Sequence, residues 1–369
     1  MKAKLGLNDK DVNDKITTIQ AMIKEQKFME SIYREDEIDK AIPESINVEA
    51  SYDGPKLEMN EPVTAEWALK ALEYMRLEKK IHKRYVWVII KRIIALFDKE
   101  PTLREVTVPV DAKITVCGDI HGQYYDLLNI FSKNGYPSAT NPYLFNGDFV
   151  DRGSFSVECI LALYIYKLMD NNCLMLNRGN HEGRNMNKLY GFDGEVKAKY
   201  CLTTLDLFAH SFDRLSLCHV LNKKVFVVHG GLFSSDDVKL DDIAKIKRGR
   251  DIPENGPFCD MLWSDPCKTN GRIPNKRGVS IQFGPDVAKR WLDNNGLDLL
   301  VRSHEVKEEG YEVEADGRVI TIFSAPKYCD QMTNKGAYIH FKGSDMKPHF
   351  VQFEAVPHPN KPAMCYARG

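Results

Sequence analysis

Five short polar motifs, each at the exit of an apolar run, constrain this chain most: Gly118-Asp119-Ile120-His121-Gly122, Gly147-Asp148-Phe149-Val150-Asp151-Arg152-Gly153, Gly179-Asn180-His181-Glu182, His229-Gly230-Gly231 and Arg302-Ser303-His304-Glu305. The runs leading into them, Lys113–Cys117, Tyr143–Phe145, Cys173–Leu176, Val225–Val228 and Leu299–Arg302, are short and apolar, as buried strands are. Between them Tyr124–Lys133, Phe155–Met169 and Ala198–Ser216 carry helical spacing. Strand–helix alternation predicts an α/β sandwich with functional loops at the strand ends. The strand-rich C-terminal part, Arg318–Ser324, Gly336–Lys342 and His349–Glu354, is expected to complete a second sheet.

The motifs supply Asp, His and Asn side chains with no thiolate, a set suited to a pair of hard-to-borderline ions gripping a phosphate. Asp119 and His121 stand two apart on a segment read as extended, so both side chains point the same way. Asp148 ends the next strand, and its two carboxylate oxygens can bridge two ions. Asn180, His229 and His304 would complete the second ion's shell. Taken singly, each is an ordinary capping carboxylate or a satisfied core histidine. The set in this order outweighs that reading. His82, His210, His219, His340, His349 and His358 lack such a context and are read as structural.

Composition narrows the class. Lys+Arg 51 against Asp+Glu 52 gives a net charge of -1, which argues against general nucleic-acid binding. The most apolar stretch, Tyr85 to Phe97, is broken by Lys91 and Arg92 and falls short of the ~20 residues that a membrane span needs. Nine cysteines without a C-x-x-C pair and no secretory signal predict reduced thiols in the cytoplasm or nucleus. Val12, Ile16, Ile19 and Ile23 mark an amphipathic helix over residues 9 to 36; an acidic, Pro-broken linker follows to residue 62. Thr64 is the expected N-cap of a helical region reaching Lys99, where a break is allowed and Pro101 closes it. The basic cluster Lys79, Lys80, His82, Lys83 and Arg84 is read as a solvated helix face. The division expected is residues 1–62 as helix and linker and residues 63–369 as the catalytic domain.

The motif order, with the segment Ser324-Ala325-Pro326-Lys327-Tyr328-Cys329-Asp330, resembles the phosphoprotein phosphatase family of serine/threonine protein phosphatases, and most of all its type 5 branch. The resemblance runs from about Glu78 to Asn360. It implies a calcineurin-like metallophosphoesterase sandwich of two mixed sheets flanked by helices. One metal would sit on Asp119, His121 and Asp148, the other on Asp148, Asn180, His229 and His304. His181 takes the general-acid position, paired with Asp151; Arg152 and Arg277 take the phosphate, and Tyr328 covers the site. The implied reaction is hydrolysis of phosphoserine and phosphothreonine by direct attack of a metal-bridging hydroxide, without a phosphoenzyme. The implied partners are phosphoprotein substrates, with no nucleic acid and no membrane. Two divalent ions are expected, manganese first, with iron, zinc or magnesium compatible with the same ligands.

Competing readings are a phosphoesterase for nucleotides or nucleic acids and a scaffold that uses the fold only for docking. The balanced charge weighs against the nucleic-acid form of the first, the Ser324–Asp330 segment and the C-terminal part favour protein substrates over either form, and the complete ligand set weighs against the second. The chain departs from the family pattern at Lys327, where Asn is usual, and at Asn177, where an apolar residue is usual. Its N-terminal residues 1–36 resemble only the helix that follows the tetratricopeptide repeats of the type 5 branch, so the repeats are expected to be absent and chaperone binding doubtful. The chain stops at Gly369, short of that branch's autoinhibitory C-terminal helix, so lipid-relieved autoinhibition is not expected either.

Overall fold

Two β-sheets pack face to face because their facing side chains are apolar on both strands and neighbours: Val116, Leu144, Met175, Val227, Val301, Ile320 and Ile339 form one buried cluster between them. The structure is a computed structural model and describes residues 40–367. The amphipathic helix expected over residues 9 to 36 lies outside the described residues.

One sheet has five strands in the spatial order Pro348–Phe353, Gly336–Lys342, Lys113–Cys117, Tyr143–Phe145 and Leu174–Leu176. The last three run parallel, with Cys117 beside Phe145 and Phe145 beside Leu176, and so end together. The other sheet has six, in the order Leu103–Val106, Cys218–Leu221, Val225–Val228, Leu299–Arg302, Val319–Ile322 and Tyr311–Glu314. Strands buried on both faces need near-continuous apolar sequence, which is why the runs read so plainly. The C-terminal expectation divides: Val319–Ile322 joins the six-stranded sheet, while the last two strands extend the five-stranded one. The Cys218–Leu221 strand, absent from the sequence reading, pairs antiparallel with Val225–Val228.

Helices cover both outer faces. Ser156–Met169 is apolar almost all round because it lies between the five-stranded sheet and two further helices, Ala65–Arg76 and Lys83–Phe97. Thr64 caps the first of these by accepting from Trp67 N at 3.2 Å. The helical region expected to reach Lys99 is thus two helices with a break over 77–82. Pro257–Trp263 and Pro285–Asn294 pack on the opposite side through Phe258, Met261 and Trp291.

The basic cluster is not a simply solvated face. The acidic segment before it runs alongside, and Lys79 pairs with Asp53 at 2.6 Å, Arg84 with Glu58 at 2.8 Å and His82 with Glu49 at 3.1 Å. Exposed pairs add little stability; buried Ala41, Leu57 and Val63 anchor the segment instead.

Candidate metal centre

The parallel strands deliver their motifs to one edge of the sandwich, where the loops turn through strained backbone. His121, Asp148, Asp151, Arg152 and His304 all have positive φ, at 46°, 51°, 70°, 69° and 72°. Such conformations cost non-glycine residues ~1–3 kcal/mol each and persist only where the surroundings impose them. They change one inference from sequence: His121 is not on extended backbone. Its side chain meets that of Asp119 (Nε2 to Oδ2, 3.6 Å) through a left-handed turn, not through strand alternation.

The cleft is lined by Asp119, His121, Asp148, Arg152, His181, Arg277, His304, Glu305 and Tyr328, with Asn180 and His229 beneath. Asp148 is its hinge. Its Oδ2 lies 3.5 Å from His121 Nε2 and 3.3 Å from His229 Nε2. Around His229 Nε2 also stand Asn180 Oδ1 at 2.9 Å and His304 Nδ1 at 3.2 Å.

The proton positions decide what this crowding means. His121 Nδ1 lies 3.0 Å from the Val150 carbonyl and His229 Nδ1 lies 2.8 Å from that of Asn146. Carbonyls only accept, so each Nδ1 carries a hydrogen, and each Nε2 presents a lone pair when its ring is neutral. Against burial, Asp148 and Asp119 raise His229 to about 9, so its Nε2 offers that lone pair once a cation displaces the proton. Lone pairs of His121, His229, Asp119, Asp148 and Asn180 therefore converge. A cation satisfies such a set, and the residues present fit a divalent ion pair. Burial, reinforced by His181, pushes His121 down to about 3, and burial with Arg277 holds His304 well below its ordinary value, so both rings are neutral, as ligands must be. Burial and the neighbouring Asp148 push Asp119 up to about 7, a sign of carboxylates packed without compensation. His304 Nε2 is buried with no partner.

On the opposite wall His181 Nδ1 lies 2.8 Å from Asp151 Oδ2. Asp151 is itself fixed by Asn187 Nδ2 at 3.0 Å and Phe192 N at 2.9 Å. Burial opposes the charged His181 ring, but Asp148 and Asp151 outweigh it and raise its pKa above the ordinary value. The Arg152 guanidinium lies 3.8 Å over the Tyr190 ring with a buried, unpartnered Nε. Arg277 is pinned by Asp265 (Nε to Oδ2, 2.7 Å) and by the His304 carbonyl at 3.1 Å. The Tyr328 ring is 5.2 Å from the His121 ring, between left-handed Lys327 and Cys329. The eleven residues singled out from sequence thus meet at one site.

Others were not given a part. Glu182, though inside a motif, accepts from Asp148 N at 2.8 Å, Phe149 N at 2.8 Å and Gly179 N at 2.9 Å, tying two loops together. Asp265 holds Arg277 on one oxygen and Arg302 on the other, at 2.8 Å. Glu182 had a signal, its place in the motif; Asp265 had none, because its partners are distant in sequence.

Residues 112–308 match the model of the calcineurin-like phosphoesterase family, and the chain belongs to that family. It is 52% identical over 368 residues to serine/threonine-protein phosphatase 5 of Rattus norvegicus, spanning 99% of this chain and 74% of that protein. Serine/threonine-protein phosphatase T of Trypanosoma brucei brucei is 56% identical over 88% of this chain and 68% of its own length. A solved protein serine/threonine phosphatase of Saccharomyces cerevisiae, described as similar to human phosphatase PP5, superposes with a TM-score of 0.76 at 43% identity, over 79% of this chain and 95% of that one. This chain is a protein-serine/threonine phosphatase, a phosphomonoester hydrolase of a family built on a dinuclear metal centre.

One expectation is overturned. Residues 16–105 match the model described as the PPP5 TPR repeat region, so that region is not absent. The doubt about chaperone binding rested on its absence and falls with it. The misreading has a physical cause: helical repeats are specified by apolar spacing that any amphipathic helix shares, so the segment showed only ordinary helices.

Proposed function

We propose that Asp119, His121 and Asp148 hold one divalent ion and that Asp148, Asn180, His229 and His304 hold a second, manganese in both. The observation that carries this reading is the convergence of ligand atoms on Asp148 Oδ2, 3.5 Å and 3.3 Å from the Nε2 atoms of two rings whose Nδ1 nitrogens are held by backbone carbonyls. When bound, such ions acidify a water and draw charge from phosphoryl oxygens.

The chain's own groups do the rest. Arg152, stacked on Tyr190, and Arg277, pinned by Asp265, present planar guanidinium groups to the phosphoryl oxygens from fixed positions, so little reorganisation accompanies charge build-up. His181 carries a proton above its ordinary pH range and gives it to the departing seryl or threonyl oxygen. Asp151 orients the ring and stabilises its charged form. Tyr328 lies over His121 and limits water beside the phosphate. No thiol or serine hydroxyl is among the lining residues, which supports attack by water without a phosphoenzyme.

The test is hydrolysis of a phosphoserine peptide by chelator-stripped protein before and after adding manganese. Turnover restored by the metal is expected. A trapped phosphoenzyme, or full turnover in the stripped protein, would refute the reading. Nine free thiols support a reducing compartment, cytoplasm or nucleus, which fractionation of the endogenous protein would test.

A further inference from the structure

Asn177, a departure from the family pattern, is fully buried, as is His219, read from sequence as an ordinary core histidine. The two are joined: His219 Nδ1 lies 2.7 Å from Asn177 Oδ1. Asn177 Nδ2 donates to Asn146 Oδ1 at 2.7 Å and to the Val227 carbonyl at 3.1 Å. Asn146 Nδ2 in turn donates to the Val228 carbonyl at 2.8 Å and to Ser303 Oγ at 2.9 Å. The Asn146 carbonyl accepts from His229 Nδ1 at 2.8 Å.

Every amide hydrogen of both asparagines is used, so neither amide can turn over without setting oxygen against oxygen. The chain of bonds joins the ends of separate strands. Asn146 lies two residues before Asp148, Asn177 three before Asn180, Val228 one before His229 and Ser303 one before His304.

We propose that Asn177 is a positioning residue for the metal centre: it fixes the Asn146 amide, which locks the four strand ends carrying Asp148, Asn180, His229 and His304, while His219 sets its own orientation. The inference rests on the ligand assignment proposed above. His219 is suited to the part. Its Nε2 has no partner, and burial, reinforced by Arg104 and Lys167, keeps the ring neutral, so one hydrogen sits on Nδ1 and faces Asn177. Removing groups that orient ligands typically lowers metal affinity ~10–100-fold; Asn177 acts through Asn146, and about tenfold is expected.

The experiment measures manganese affinity of the stripped full chain, together with its melting temperature, for the parent, Asn177→Leu and the double variant Asn177→Leu, His219→Leu. Both variants should bind manganese about tenfold more weakly than the parent. The single variant should melt lower. The double variant should recover part of that loss, because it no longer buries an unpaired imidazole N–H. Affinity equal to the parent's in both variants, whatever their melting temperatures, overturns the relay alone. A parent that binds no manganese overturns the ligand assignment and the relay with it. Nitrogen-15 NMR of the parent gives a check that needs no variant: His219 should be neutral with its hydrogen on Nδ1. A hydrogen on Nε2 would require the Asn177 amide to be reversed and would overturn the proposal.

Discussion

Replacing His181 with alanine separates proton transfer from metal binding. The ring nitrogen bonded to Asp151 Oδ2 at 2.8 Å disappears, but the backbone N–H of the same residue still donates to Asp148 Oδ1 at 2.8 Å. The Asp148 carboxylate therefore keeps that support, and manganese content should match the parent's. Loss of a general acid slows turnover by ~10²–10⁴-fold on a phosphoserine peptide, about 3–5 kcal/mol of barrier. An aryl phosphate expels a phenolate that departs without prior protonation, so its turnover should fall by no more than ~10-fold. The assay is paired: peptide-phosphate release and aryl-phosphate hydrolysis on the same preparations, with metal content measured alongside. Equal losses on both substrates would show that His181 does not protonate the leaving group. Loss of metal would show that its part is structural support of the centre.

Asp148→Asn should strip more manganese than Asp119→Asn, since one oxygen of Asp148, Oδ2, faces the Nε2 of both His121 and His229, at 3.5 Å and 3.3 Å, whereas Asp119 approaches His229 at Nδ1, 3.9 Å away; metal analysis showing the reverse would contradict the bridging assignment. Glu182→Gln leaves one of three buried N–H groups facing an amide donor and removes charge from the other two bonds, a cost of about 3 kcal/mol. At ~2.1 cal/mol/K of unfolding entropy per residue over the 369-residue chain, that lowers the melting temperature by about 4 °C, readable by calorimetry. His340 is held down to about 4 by burial and then by Lys113, so it is neutral in the fold. Above its ordinary value of 6.5 neither state is charged; between 6.5 and about 4 the unfolded chain takes up a proton that the fold refuses, and stability falls as pH drops. His340→Gln should flatten that acid limb in denaturant titrations, and an unchanged slope would rule the assignment out.

What could be read from the sequence alone was whatever is written in contiguous residues. The strands Lys113–Cys117, Tyr143–Phe145 and Val225–Val228 were visible because burial on both faces demands unbroken apolar runs. Most residues gathered in the cleft were visible because their functional groups sit in short motifs at the ends of such runs; Arg277 and Tyr328 lie outside those motifs and were pointed to only by the family resemblance. The helices before Pro101 were visible as helices, but not as part of a matched repeat region, since apolar spacing is common to all amphipathic helices. The tertiary structure alone decided how those residues are held. Asn177 meets His219, Asn146 meets Ser303 and Arg277 meets Asp265 only because separate strand ends and loops converge; a hydrogen bond between residues far apart in the chain leaves no periodicity to detect. The left-handed turns at His121, Asp148 and His304 are likewise imposed by surrounding contacts, against the preference of each residue by itself.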